Sequence, residues 1–336
     1  MHHVRVLAAM DKFRGTASAH EAVAAVGHAC WELGLDVDEA PLSDGGEGLL
    51  DAMGGANRTA IVTGPLGGRV EAGWRLDRRT AIIEMARASG LTLAGGPERN
   101  DPMRAATTGT GQLLDRAIAD GARHVIVGLG GSASTDGGLG ALEALRSPAR
   151  LASVELELAC DVRTPFLDAA TVFAGQKGAT PAQVELLSGR LASLAERYRA
   201  QYGVDVTGLV GGGAAGGLGG GLAAVGGVLR SGFDLVAEQV DLPERLEACD
   251  VVVTGEGFLD PQSLEGKVVG GVCDLAADAD RRVVVIVGDA DSVTRAELAR
   301  RDIEVITLVE RFGEYRARTE PRWCIEQAAR GALVDV

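Results

Sequence analysis

Acidic residues in this chain recur at one kind of place, just beyond a short apolar run. Asp11 follows the run at 4–9, Asp136 the run at 124–128, and Glu256 and Asp260 the run at 250–254; Asp44 and Asp161 complete the set. Glycines flank most of them, in Asp44-Gly-Gly-Glu-Gly48, Asp136-Gly-Gly138 and Gly255-Glu-Gly257. Single cations stand nearby: Lys12 and Arg14, Lys177 in GQKGA, and Lys267 in EGK. Each residue type suits one task. Carboxylates hold Mg²⁺, which takes oxygen ligands and works alongside substrate phosphates. Backbone N–H groups in glycine turns cradle phosphate. A few placed cations neutralise charge on a transferring phosphoryl group. Taken singly, any of these acids can equally cap a helix, and Asp44 and Asp136 each precede a helical stretch. Taken together, they point to phosphoryl transfer.

Other motifs are weaker. Gly128-x-Gly130-x-x-Ala133 and Gly211-x-Gly213-x-x-Gly216 match a dinucleotide fingerprint, but 48 glycines make such matches cheap. The Walker pattern is absent, since Gly266-Lys267 is followed by Val268 and position 261 is Pro. HRD and DFG loops, GxSxG and HExxH are absent too. Five widely spaced cysteines without a CxxC pair exclude a disulfide framework or a structural zinc site.

The elements that must carry these residues follow from periodicity. The β-branched runs at 4–9, 124–128, 250–254 and 282–288 read as buried strands. Helices are predicted from Ser18 to Leu33, where Ser18 and Glu21 have capping-box spacing, at 111–122, and from Thr180-Pro181 onward. Strand, loop and helix in alternation mean α/β with a mainly parallel sheet, whose ligands bind at the carboxyl ends of strands. Residues 59–86 instead read as turn-linked antiparallel strands. The expected organisation is therefore one α/β domain of residues 1–64 plus 240–336, with a second α/β domain, 65–239, inserted in it. The uncharged stretch 206–229 contains too many glycines for a lipid-facing helix and reads as a glycine loop feeding a helix.

Composition bounds the rest. A length of 336 residues suits two domains. The 33 basic against 47 acidic residues, a net charge of −14, argue against nucleic acid as a partner. No membrane span or targeting signal is expected, because Arg5 interrupts the first apolar run, and a cytoplasmic location follows.

Nine ordered blocks make the chain resemble the type-1 glycerate kinase family over nearly its whole length. They are DKFRGTASA (11–19), SDGGEG (43–48), IEMARASGL (83–91), TTGTG (107–111), GLGGSASTDGG (128–138), ACDV (159–162), FAGQKGAT (173–180), GAAGGLG (213–219) and TGEGFLDPQSLEGK (254–267). The resemblance implies a Rossmann/flavodoxin-like parallel-sheet domain with a second α/β domain. It implies ATP and Mg²⁺ as cofactors, D-glycerate as substrate and 2-phosphoglycerate as product, in a monomer or homodimer. Carried onto this sequence, it gives Asp11, Asp161, Lys177 and Lys267 as catalytic residues. Substrate and phosphate fall to Lys12, Arg14, Ser89, Thr110, Gly130, Gly131, Ser132, Gly216 and Gly217, and metal to Asp44, Asp136, Glu256 and Asp260. The proton acceptor is Asp11 or Asp161. The alternatives are a non-catalytic ligand-binding descendant and a kinase for another small hydroxy acid. The chain departs from the family pattern in a shortened 139–158 segment, in Asp161-Val-Arg-Thr164-Pro and in Thr107-Thr108-Gly109.

Overall fold

The computed structural model describes residues 4–146 and 148–336; Ser147, within the shortened 139–158 segment, lies outside the described residues. The strands in it are β1 (Arg5–Met10), β2 (Asp36–Pro41), β3 (Arg58–Thr63), β4 (Arg69–Asp77), β5 (Thr80–Glu84), β6 (His124–Gly128), β7 (Glu155–Ala159), β8 (Val228–Arg230), β9 (Val251–Leu259), β10 (Arg282–Ala290) and β11 (Glu304–Thr307). The chain forms two compact units. One takes in the N-terminal part to Asp44, Asp51–Met53 and Phe233–Val336; the other takes in Gly45–Leu50 and Gly54–Gly232.

In the first unit the sheet order is β11-β10-β9-β1-β2, with every pair parallel. Counted within the unit from β2, this is the doubly wound order 2-1-3-4-5, in which the chain reverses direction between β1 and β9. The β1, β9 and β10 runs are buried because helices cover both faces of such a sheet, so they read as continuous apolar stretches rather than alternating ones. The helix Ala19–Leu33 starts where expected: Ser18 and Glu21 form the reciprocal capping box, and Gly34 ends it at φ 72°. Its buried Ala22, Val26 and Ala29 join Ile325, Ala328 and Ala329 of the helix Pro321–Leu333 in one core.

In the second unit six strands lie in sequence order, β3 to β8. The pairs β3–β4 and β4–β5 are antiparallel, which is the predicted meander, and the remaining pairs are parallel. The chain crosses between the units at Asp44–Gly45, Leu50–Asp51, Met53–Gly54 and Gly232–Phe233, whereas the sequence reading set the limits at 64–65 and 239–240. Strand β3 pairs with β4 along its whole length, from Arg58↔Trp74 to Thr63↔Arg69, and this carries residues 58–63 with the second sheet. The predicted helix at 111–122 runs Thr108–Ala119, and Pro181–Tyr202 starts with a capping box between Thr180 and Gln183. The glycine-rich stretch forms the buried helix Ala214–Ala223, broken by left-handed Ala215, Gly216 and Gly217. Among the described residues no helix is long and apolar enough to cross a membrane.

Candidate active site

The first unit gathers ionisable groups at its reversal point. Asp11 stands immediately beyond β1, its backbone N–H donating to Gly255 O of β9 at 2.9 Å. Its carboxylate Oδ1 accepts from the backbone N–H of Lys12 at 2.7 Å. Lys12 Nζ lies 3.6 Å from Asp11 Oδ1 and 3.8 Å from Asp44 Oδ1, so one ammonium bridges two carboxylates. Glu256 follows Gly255 on β9, and its Oε1 is buried with no hydrogen-bond partner among the described residues. Gly255 is required: a Cβ there would sit 1.8 Å from Ile286 O on the neighbouring strand.

Burial sets the electrostatics. It pushes the Asp11 carboxyl up to about 6, against the pull of Lys12 and with the push of Asp44. It pushes Glu256 up to about 7, which Ser263 and Lys267 oppose and Asp11 and Asp260 reinforce. Burial works against the Lys12 ammonium, yet the charges of Asp11 and Asp44 win and hold it above the ordinary lysine value. Lys267 is half-buried in extended backbone just before the helix Val268–Asp278 and supplies no side-chain cap to it. Arg14 is exposed in the tight turn that follows β1.

The second unit holds a buried polar cluster around the loop 128–138, in which Ser134 Oγ, Thr135 Oγ1 and Asn100 Oδ1 find no hydrogen-bond partner among the described residues. Ser89 O accepts from Ala133 N at 3.0 Å, and Gly131 O accepts from Leu91 N at 2.8 Å, stitching the 83–91 block to this loop. Ser89 Oγ and Thr110 Oγ1 are buried 2.9 Å apart. Gly131 is left-handed at φ 68°, and a Cβ on Gly130 would lie 2.7 Å from Gly46 Cα. Lys177 Nζ donates to Ser134 O and lies within hydrogen-bond reach of Ser132 Oγ, both at 2.7 Å. Burial pulls this amine down to about 7, although Asp136 pulls the other way. Asp161, beyond β7, is exposed in this second unit.

At some of the expected site positions the geometry shows a structural role. Asp136, expected to hold metal, spends Oδ2 on Thr107 N, Thr107 Oγ1 and Gly140 N, and Oδ1 on Gly138 N. It organises the loop. Asp260, also expected to hold metal, caps the turn Pro261–Leu264 by accepting from Ser263 N. Gly216 and Gly217, expected to bind phosphate, are tightly packed: a Cβ on Gly216 would meet Ser134 O at 2.0 Å, and one on Gly217 would meet Gly137 Cα at 2.8 Å.

The sequence reading also missed residues. Glu84 Oε1 accepts from Gly48 N at 2.6 Å, and Asn100 Nδ2 donates to both Ala133 O and Lys177 O. Glu84 lay inside a recognised block, whereas nothing around Asn100 marks it. Ser263 was readable from the Asp260-x-x-Ser spacing. A cavity of about 890 Å³ beside β3 and the helix Thr108–Ala119 contains none of the predicted site residues.

Comparison with known proteins adds an independent line. The model of the glycerate kinase family matches residues 6–148 and 146–330. An uncharacterised protein of Mycobacterium tuberculosis (strain CDC 1551 / Oshkosh) is 41% identical over 331 residues, covering 93% of this chain and 86% of that one. The glycerate 2-kinase of Escherichia coli (strain K12) is 36% identical over 325 residues, covering 85% of each. A crystal structure from Salmonella typhimurium LT2, provisionally named glycerate kinase 2, superimposes with a TM-score of 0.82 at 32% identity over 98% of this chain and 97% of that one.

Proposed function

This chain belongs to the glycerate kinase family, and from that premise we propose that it transfers the γ-phosphoryl group of ATP to the 2-hydroxyl of D-glycerate, giving 2-phosphoglycerate and ADP. The observation that carries this reading is the convergence of Asp11, Lys12, Asp44 and Glu256 at the reversal point of a doubly wound sheet. That is where such sheets bind phosphorylated ligands.

The donor set fits Mg²⁺. Asp44 and Glu256 offer hard carboxylate oxygens, and the buried Glu256 Oε1 lacks a protein partner among the described residues. Asp136 accepts on both oxygens and Asp260 on Oδ1, so this reading gives the ion first to Asp44 and Glu256. When bound, the ion neutralises charge on the phosphoryl oxygens. Asp11 is the proton acceptor in this reading. Burial brings its carboxyl to about 6, near working pH, where a general base is most effective. Asp161, the other candidate, is exposed. Lys12 fixes the Asp11 carboxylate and places one ammonium between Asp11 and Asp44.

The choice of hydroxyl follows from orientation. A cation such as Arg14 that clamps the carboxylate fixes the adjacent 2-hydroxyl better than the 3-hydroxyl one carbon further away, and orientation supplies several kcal/mol of barrier reduction. The name of the Escherichia coli relative, glycerate 2-kinase, supports the same choice. The reading places the enzyme in the cytoplasm, where ATP is available. The test is to add enolase to the product without phosphoglycerate mutase. Phosphoenolpyruvate forms at once if the product is 2-phosphoglycerate, and formation only after mutase is added overturns the assignment.

A further inference from the structure

The first and last helices of the first unit share an apolar seam, Ala22, Val26 and Ala29 with Ile325, Ala328 and Ala329. Polar pairs join the same two helices. Glu21 meets Arg322 at 3.7 Å, His28 meets Glu326 at 3.1 Å and Glu32 meets Arg330 at 3.1 Å. The outer two are guanidinium–carboxylate pairs. The middle one differs in kind, because imidazole and carboxylate are both metal ligands. His28 and Glu32 are one helical turn apart and share a face of the helix Ala19–Leu33. Glu326 comes from the helix Pro321–Leu333. One ligand atom from each of His28, Glu32 and Glu326 lies within 4.8 Å of the other two.

We propose that His28, Glu32 and Glu326 form a site for one divalent transition-metal ion of the Zn²⁺ class, which ties the first helix of the unit to its last. Bonds of about 2.0–2.2 Å from such an ion to nitrogen and oxygen place neighbouring ligand atoms roughly 3.0–3.4 Å apart. His28 Nδ1 and Glu326 Oε2 stand 3.1 Å apart, so one edge of the coordination shell is already in place. Glu32 supplies the third corner. Arg330 Nη1 donates to Glu32 Oε2 at 3.1 Å and leaves Oε1 for the ion, since a ligating carboxylate is commonly hydrogen-bonded on its other oxygen. The imidazole favours Zn²⁺ and its neighbours over Mg²⁺ and Ca²⁺, which take oxygen ligands. His28 and Glu326 also line a groove of about 640 Å³ between the two helices, which gives an ion and its waters access. Glu21 and Glu320 line it too, against the single cation Arg322, so the groove attracts positive charge. This site is separate from the acids at the reversal point and does not draw on the kinase reading.

The experiment strips the protein with EDTA, exchanges it into excess Mg²⁺ to occupy the proposed kinase site, and titrates Zn²⁺ by calorimetry, with the thermal unfolding midpoint followed in parallel. The parent is expected to bind Zn²⁺ and to unfold at a higher temperature, because an ion that binds only the docked helices stabilises the folded state. His28→Ala, Glu32→Gln and Glu326→Gln are each expected to weaken that binding by at least about tenfold, since losing even an outer partner of a metal ligand costs that much. Each should also shrink the rise in midpoint at a fixed Zn²⁺ concentration. His28 and Glu32 are exposed and Glu326 is half-buried, so the variants fold, and in EDTA they unfold close to the parent. A parent that binds no Zn²⁺ in excess Mg²⁺, or binding that any one of the three substitutions leaves intact, overturns the inference. Phosphorylation of D-glycerate bears on neither result, so the kinase reading stands or falls separately.

Discussion

The two units solve the same problem with opposite means. In the first, the strand order reverses between β1 and β9, and the chain diverges there without help from special turns. The chemistry is correspondingly bare: buried carboxylates pushed toward neutral pH, one bridging ammonium and an orphaned Glu256 oxygen. In the second, β3 to β8 follow each other in order, so the sheet offers no reversal point. Its polar residues sit on a loop that must build its own concavity. Glycines allow the close approaches, and Asp136 ties Thr107, Gly138 and Gly140 together. Topology makes one site; hydrogen bonding makes the other. Mutations should therefore damage turnover in the first unit and folding in the second.

The largest expected effect tests the first half of that contrast. Asp11→Asn removes the proposed proton acceptor while keeping shape and the anchoring backbone bond to Gly255. It should lower kcat by about 10²–10⁴, with the thermal unfolding midpoint little changed. Turnover within tenfold of the parent would put the base elsewhere. Next in size is Asp136→Ala, which strips four hydrogen bonds from one carboxylate. It should cost about 2–3 kcal/mol of stability, the scale for losing bonds to a charged group, visible as a lower denaturant midpoint. An unchanged midpoint combined with lost Mg²⁺ affinity would return Asp136 to the metal set. The smallest effect is graded. Asp11 acts as a base only when ionised, and burial holds its carboxyl near 6. As pH falls below about 6 the base gains its proton, so kcat/KM should drop about tenfold per unit. A profile flat down to pH 5 would show that Asp11 is not the titrating group.

The same contrast explains what was legible in the sequence. Local devices were readable: the capping boxes at Ser18–Glu21 and Thr180–Gln183 depend only on spacing, and the meander at 58–84 on alternation and turns. Asp11 and Glu256 at the reversal point were also readable, because each follows an apolar run, and Asp44 by the glycines that flank it. What spacing does not give is partner identity. Asp44 and Asp136 look alike in sequence, each followed by two glycines, yet Asp136 meets Thr107 from 29 positions away. Gly216 uses its freedom of φ, at 68°, and its sequence context does not show that it also lets Ser134 O approach. Asn100 carries no mark, since its two acceptors come from distant blocks. Residues 58–63 show how a strand's allegiance is decided by its partner rather than by its own pattern.

The first unit draws its sheet from both ends of the chain, with Arg5 N donating to Asp250 Oδ2 across 245 positions. During biosynthesis this sets a waiting time. The helix Ala19–Leu33 and strands β1 and β2 emerge early, but β9 follows only after the whole second unit has been made, roughly 10–50 s later at ribosomal speed. The second unit is complete before then and is free to fold first. Through that interval β1 has an unpaired edge and an uncovered apolar face, so the nascent chain is most exposed to chaperones, proteases and aggregation before β9 has been translated.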